Sequence, residues 1–115
     1  MTLKGLTILT KRADFLKAAR ARRVSTPAFT LQYRKRDAGE AEGIRIGFTC
    51  SKKVGNAVAR NRAKRRLREI ARLTLPDHGQ DGFDYVLIGR RDTTATRNFK
   101  DLQGDLTNAL AKAHP

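Results

Sequence analysis

The chain of 115 residues has one cysteine, no tryptophan and three prolines. Cys50 has no second cysteine with which to form an intramolecular disulfide or begin a zinc site, so we expect a small hydrophobic side chain in a strand. Long hydrophobic runs are also missing, since no stretch approaches the roughly 20 apolar residues that span a bilayer. The first ten residues lack the continuous apolar core of a secretory signal. We therefore expect a cytoplasmic protein without a membrane role.

Acidic residues are few in comparison with basic ones. The chain has 25 Lys and Arg against 11 Asp and Glu, which gives a net charge of +14 and a sequence pI of about 11.1. A balance this basic predicts a polyanionic partner, nucleic acid above all. The length suits one domain, residues 1–115, with a single core between two packed layers.

Hydrophobic patterning predicts six elements in the order α-β-β-α-β-α. We expect helices at 11–22, 56–73 and 99–113, and strands at 28–36, 44–50 and 83–90. Thr10 is the expected cap of the first helix, and the polar segment 37–43 suits a hairpin loop between the first two strands. The apolar run at 85–88 predicts that the third strand is central in the sheet. The predicted class is α+β, a single-domain α/β sandwich with a mixed sheet.

The helix that begins after Asn56 carries most of the functional signal. At 3.6 residues per turn its apolar side chains share one face that can pack on the sheet, namely Ala59, Ala63, Leu67, Ile70, Ala71 and Thr74. Between Lys52 and Arg72 there are nine basic residues and one acid, Glu69. A solvated helix face is the ordinary explanation of such charge, but solvated faces mix signs because like charges at these spacings repel. The unbalanced stripe indicates a phosphate-rich partner.

The segment 47–69 also carries a specific motif, Gly-Phe-Thr-Cys-Ser-Lys-Lys-Val-Gly-Asn-Ala-Val-Ala-Arg-Asn-Arg-Ala-Lys-Arg-Arg-Leu-Arg-Glu. It closely resembles the bacterial ribonuclease P protein family, whose Arg-Asn-Arg signature corresponds to residues 60–62. The resemblance implies a ribonucleoprotein endonuclease that removes the 5′ leader of precursor tRNA. In it a large RNA subunit is the catalyst and uses Mg²⁺, while the protein aids substrate binding and holds no cofactor itself. No obligate protein partner is implied.

The resemblance further implies two RNA-binding surfaces. The residues expected against the RNA subunit are Lys52, Lys53, Arg60, Asn61, Arg62, Lys64, Arg65 and Arg68. A cleft between the first helix and the sheet would hold the single-stranded 5′ leader against Phe15 and Tyr33, because a flat ring can stack on an unpaired base. The sequence does not determine whether Tyr33 or the neighbouring Gln32 faces this cleft. Ordinary core packing is the alternative role for Phe15 and Tyr33.

The fold that the resemblance implies is like that of ribosomal protein S5 domain 2, with a left-handed βαβ crossover. Strand physics alone would predict a right-handed crossover.

Two other functions remain possible from the residues alone. A purely structural RNA-binding protein, such as a ribosomal protein, would show the same basic stripe. A protein-only nuclease would need an acid–base pair or a metal cluster. Its candidates would be His78 and His114, with Asp77, Asp81 and Asp84 as imaginable metal ligands, but the histidines show no partners in the sequence and the acids suit a polar loop.

Overall fold

Six strands form one mixed sheet in the order β1-β2-β5-β6-β4-β3. The computed structural model describes residues 2–3 and 5–115. The strands are β1 (Thr2–Leu3), β2 (Leu6–Ile8), β3 (Arg22–Ser25), β4 (Phe29–Lys35), β5 (Arg45–Thr49) and β6 (Phe83–Gly89). The helices are α1 (Arg12–Arg20), α2 (Ala57–His78), α3 (Thr93–Thr96) and α4 (Phe99–Ala113), and a 3-10 turn spans Lys52–Val54.

The predicted fold class is confirmed, and all six predicted elements are present. Strands β1, β2 and β3 and helix α3 were not predicted, since segments of two to four residues show too little periodicity to be recognised. Helix α2 joins the neighbouring parallel strands β5 and β6 in the expected βαβ unit. The left-handed sense of this crossover stays a prediction.

Strand β6 is central in the sheet, as its apolar run predicted. The prediction that segment 37–43 forms a hairpin loop between paired strands is wrong. Strand β6 pairs antiparallel with β4 and parallel with β5, so it lies between the two strands that the segment 37–43 connects. That segment instead passes the start of β6, where Arg36 N donates to Gly82 O (2.8 Å) and Gly82 N donates to Gly43 O (2.9 Å). Alternation of apolar and polar residues indicates strands but does not determine their partners.

Two hydrophobic cores cover the two faces of the sheet. The larger lies under α2 and α4 and includes Leu67, Ile70, Tyr85 and Leu106. The smaller lies under α1 and contains Leu9, Ala18 and Val86, with Phe15 and Ile88 packed against it. Because β6 contributes Tyr85 to one core and Val86 to the other, it is buried on both faces.

The start of α1 and the end of α2 differ from their predicted positions. Helix α1 begins at Arg12 with Lys11 in the cap position and no side-chain cap, so Thr10 does not cap it. Helix α2 continues to His78 with Pro76 in its last turn. A proline inside a helix removes one hydrogen bond and crowds the preceding turn, and burial of Leu75 in the larger core offsets this cost. Among the described residues, no helix combines the length and apolar character needed to cross a membrane.

A buried ion cluster ties together the three central strands. The Asp84 side chain on β6 is fully buried and accepts hydrogen bonds from Arg36 Nη1 (2.7 Å) and from Arg45 Nε and Nη2 (2.7 and 2.8 Å). Asp84 lies inside β6, within the predicted strand 83–90, and not in the polar loop that was suggested for the acids as a group. Burial alone would raise the pKa of Asp84, but the hydrogen bonds and charges of Arg45 and Arg36 outweigh burial and lower that pKa.

We expect Asp84→Asn to lower the free energy of unfolding by about 3–5 kcal/mol, because it leaves the buried Arg36 guanidinium without a counter-charge. The loss should be full above the ordinary aspartate pKa of 3.8 and should shrink as the pH falls through the lowered pKa of the folded state. Urea unfolding at several pH values measures both effects. Asp81→Asn, at an exposed site, is the matched control and should change stability by about 0.5 kcal/mol or less. Equal losses in the two variants would contradict a stabilising cluster.

Candidate nucleic-acid interface

The start of α2 is fixed by two side-chain caps. Asn56 caps the helix as predicted, since its Oδ1 accepts from Ala59 N (2.9 Å). Ser51 caps the preceding 3-10 turn by accepting from Lys53 N (3.3 Å). Gly55 between them has φ 145°, which favours glycine, and a Cβ there would lie 2.9 Å from the Ala59 Cβ. These contacts hold Lys52 and Lys53 beside the first turn of α2.

The predicted RNA-facing residues form one surface along this turn and the outer side of α2. Arg60 is half-buried, and the others are exposed, namely Lys52, Lys53, Asn61, Arg62, Lys64, Arg65 and Arg68. The opposite side of α2 packs on the sheet as expected, with Ala63, Leu67, Ile70, Ala71 and Thr74 buried, although Ala59 is only half-buried. Glu69, the acid within the basic run, pairs with Arg72 through an Nε–Oε2 contact of 3.1 Å. The amphipathic division of α2 therefore leaves a strongly cationic face towards solvent.

A shallow depression lies in the middle of this cationic face. It is lined by Val58, Asn61, Lys64, Arg65 and Arg68. Val58 is 69% exposed, which makes it the most exposed large hydrophobic residue described. Sequence reasoning missed Val58, since a single apolar residue in a basic helix gives no signal of its own. The depression combines a small apolar floor with amide and cationic donors, which suits a sugar-phosphate backbone.

Arg66 belongs to the same basic run but has a structural role. Its Nη1 donates to Thr94 O (2.8 Å), its Nη2 bonds Arg97 O, and its guanidinium lies 5.9 Å from the centroid of the Phe99 ring. These contacts fasten the segment between β6 and α4 onto α2. Arg66 is thus directed towards the protein, whereas its neighbour Arg65 is directed towards solvent.

Phe15 lies between α1 and the sheet, where the second surface was expected. The ring packs against β5 at Gly47, where a Cβ atom would come within 2.6 Å of the Phe15 Cε1. Phe15 is half-buried. The missing side chain of Gly47 therefore makes room for the Phe15 ring, which remains partly accessible.

Tyr33 does not lie beside Phe15. It packs against the larger core near α4, and its ring centroid is 6.1 Å from that of His114. Successive residues of a strand point to opposite faces, so the preceding Gln32, which pairs with Val86, is the β4 residue on the α1 side. The strand register thus assigns Gln32 to the face of Phe15 and Tyr33 to the other, and an expected cleft containing both rings is not formed.

The histidines and aspartates considered for protein-only catalysis lie apart from one another, and His114 and Asp84 already have hydrogen-bond partners within the protein. His114 Nε2 lies 2.7 Å from the Tyr85 hydroxyl, which also accepts from Gln80 N (2.9 Å). Burial lowers the pKa of His114 and raises the pKa of Tyr85 to about 12, so both groups favour their neutral forms. His114 therefore has a partner, contrary to expectation.

The remaining candidates do not assemble either. His78 and Asp77 are exposed in the last turn of α2, and Asp81 is exposed before β6. Cys50 is a free, half-buried thiol beside the larger core, and burial raises its pKa. Within residues 2–3 and 5–115, no group of three His, Cys, Asp or Glu is placed to hold a metal ion.

Comparison with known proteins assigns this arrangement to one family. The model of the ribonuclease P family matches residues 3–114. The ribonuclease P protein component of Ruegeria pomeroyi is 69% identical over 110 residues, covering 96% of this chain and 88% of that protein. The corresponding protein of Gluconacetobacter diazotrophicus is 52% identical over 106 residues, covering 91% and 89%.

Solved structures agree with the sequence comparisons. The RNase P protein of Staphylococcus aureus superposes with a TM-score of 0.73 at 28% identity, covering 93% of this chain and 94% of that one. The RNase P protein of Thermotoga maritima gives a TM-score of 0.71 at 30% identity, covering 90% and 94%. The family model, the sequence identities and the fold agree, and the chain belongs to the ribonuclease P protein component family.

Proposed function

We propose that this chain is the protein subunit of a cytoplasmic ribonuclease P, which removes the 5′ leader from precursor tRNA. The RNA subunit supplies the catalytic centre and its Mg²⁺ ions, and the protein binds that RNA and the leader. The observation that carries the proposal is the cationic face of α2, which presents the Arg60-Asn61-Arg62 motif and Lys64, Arg65 and Arg68 on one rigid helix. No obligate protein partner is required for this role.

The charge distribution supports RNA as the ligand of the α2 face. Seven exposed or half-exposed basic side chains and one amide lie along about three helical turns and the preceding turn. Phosphates would remove the repulsion among these cations and release counterions. Arginine outnumbers lysine on the helix, and its planar fork can contact two phosphate oxygens at once.

The state of the titratable side chains supports a binding role rather than catalysis by the protein. Asp84 is occupied by Arg36 and Arg45, and His114 by Tyr85. The proposed division of labour therefore leaves phosphodiester hydrolysis to the RNA subunit.

The leader-binding part of the proposal rests on Phe15. Its half-buried ring at Gly47 lies between α1 and the sheet, where an unpaired base could stack without a demand for one sequence. Tyr33 belonged to the same expected surface, but a leader held beside Phe15 would lie on the other side of the sheet from Tyr33.

The decisive test of the function is reconstitution. We expect the purified protein to stimulate cleavage of precursor tRNA by a bacterial ribonuclease P RNA at low Mg²⁺, because it screens repulsion between the two RNAs. Cleavage of 5′-labelled precursor with and without protein measures the effect. The protein without the RNA subunit should show no cleavage at the same site. Lack of stimulation would reject the proposal. Recovery of ribosomal RNA alone in a pull-down from cells would favour a structural RNA-binding role.

Arg65 and Arg66 provide a matched pair that separates RNA binding from stability. Arg65→Ala should weaken assembly with the RNA subunit and reduce the slope of log K against log salt by about one, as expected for one lost phosphate contact. It should leave the unfolding free energy unchanged. Arg66→Ala should instead lower that free energy by about 2 kcal/mol, since two backbone carbonyls lose a charged donor. Salt-dependent filter binding and urea unfolding measure the two quantities, and identical profiles for the two variants would contradict the assigned roles.

Phe15→Ala should weaken binding of precursors with long leaders by about fivefold or more, as expected for loss of one base-stacking ring. Precursors whose leader is a single nucleotide should be bound as by the unsubstituted protein. Because Phe15 also packs on Gly47, Phe15→Leu serves as a second variant that keeps apolar volume but removes the aromatic face. Both variants should assemble normally with the RNA subunit. Equal losses for long and short leaders would show that Phe15 acts through folding alone.

A further inference from the structure

A second groove combines aromatic and cationic side chains on the face of the sheet opposite Phe15. It has a volume of about 490 Å³, within the roughly 300–1,000 Å³ common for ligand sites. It is lined by Ala21, Arg22, Tyr33, Arg34, Lys35, Phe83 and Ala113. The groove is therefore built from the start of β3, the end of β4, the start of β6 and the end of α4.

The strand register explains why rings and cations meet there. Arg22 on β3 lies opposite Tyr33 on β4. Two residues further along β4, and so on the same face, Lys35 lies opposite Phe83 on β6. Each ring therefore has a cationic side chain as its cross-strand neighbour.

The ring of Tyr33 is available for stacking. It is half-buried, and its aromatic neighbour His114 lies at 62° to it, so the two rings meet edge to face. No ring among the described residues stacks parallel on Tyr33. Phe83 differs, because it stacks on Tyr85 at 6.0 Å and meets the edge of His114 at 4.6 Å. Phe83 and His114 thus support the floor of the groove, and Tyr33 presents a flat surface.

Of the three cations that line the groove, Arg34 is paired with Glu40 (3.0 Å), whereas Arg22 and Lys35 are not neutralised by the protein. Arg22 and Lys35 are both exposed, and within the described part of the chain neither forms an ion pair with an acid. The described lining of the groove contains no acidic residue. A ligand that fits this site has a flat ring that can stack on Tyr33 and a negatively charged group that can reach Arg22 or Lys35.

We propose that this groove binds an unpaired nucleotide of single-stranded RNA, with its base on Tyr33 and its phosphates beside Arg22 and Lys35. Stacking on tyrosine together with phosphate contacts is a common way of holding single strands without sequence preference. The site is separate from the surface at Phe15, since β4 and β6 lie between them. The proposal rests on the proposed function for its choice of RNA, and it assigns to Tyr33 a second contact instead of the leader cleft.

Cross-linking to a single-stranded probe locates the site. Pentauridylate containing 4-thiouridine is irradiated with the full-length protein, which is then digested with trypsin. Tyr33 falls in the peptide 24–34 and Phe15 in the peptide 13–17, so the two surfaces give different products. We expect cross-links in peptide 24–34 that fragment ions assign to Tyr33 rather than Gln32. Cross-links confined to peptide 13–17, to Gln32 or to α2 would overturn the proposal.

Affinities of matched variants test the chemistry of the groove. Tyr33→Leu should weaken pentauridylate binding at the groove by about fivefold or more, whereas Tyr33→Phe should retain it. Lys35→Gln should reduce the salt dependence by about 0.7, and it should do so more than Lys100→Gln, which removes an exposed charge on α4. Thermal unfolding must show that Tyr33→Leu is folded at the temperature used, and Tyr33→Phe provides the comparison if it is not. Unchanged affinity in Tyr33→Leu, or equal effects of the two lysine variants, would overturn the proposal.

Two further outcomes separate this proposal from the proposed function. Equal affinity for uridine monophosphate and pentauridylate would assign the groove to free nucleotides and overturn the choice of RNA. Stimulation of precursor cleavage by the unsubstituted protein, together with an inert groove, would leave the proposed function intact. Groove binding without any stimulation of cleavage would reject the proposed function and retain the single-strand site.

Discussion

The burial of β6 on both faces is the constraint on which the other elements depend. A strand that contributes Tyr85 to one core and Val86 to the other cannot be at an edge, because buried backbone groups need hydrogen-bond partners on both sides. Strands β4 and β5 provide those partners. Since β5 is parallel to β6, the chain between them must cross the sheet, and α2 is that crossing. The cationic helix α2 is therefore held by the most deeply buried part of the fold.

The ion cluster at Asp84 adds a second condition on the same strands. Arg36 directly follows β4 and Arg45 begins β5, so their bonds to one carboxylate align both neighbours of β6. This alignment is consistent with the register that separates Gln32 from Tyr33. It also means that the net charge overstates the cations available to RNA, since Arg36, Arg45 and Arg66 are engaged within the protein.

Local properties of the fold could be predicted from sequence, and pairings between distant segments could not. The Asn56 cap, the apolar side of α2 and the burial of β6 depend on residues within a few positions of one another, and all three were predicted correctly. The partner of β4 and the engagement of Arg66 by Thr94 depend on contacts between segments far apart in sequence. A basic side chain on a helix looks the same in sequence whether it faces solvent or a carbonyl. An alternating pattern likewise identifies a strand, but its partner depends on the arrangement of the whole sheet.

The fold also determines how strongly the cationic face of α2 should respond to RNA. Like charges on a flexible segment can move apart, whereas those on α2 are kept close by the burial of Leu67 and Ile70 beneath them. The unbound protein therefore retains the repulsion, and under the proposed function a phosphate backbone would relieve it without first having to order the helix. Relief of this charge repulsion would then add to the favourable free energy of RNA binding. The same rigidity keeps Phe15 and Tyr33 on opposite faces of the sheet, so that one unpaired base cannot contact both rings.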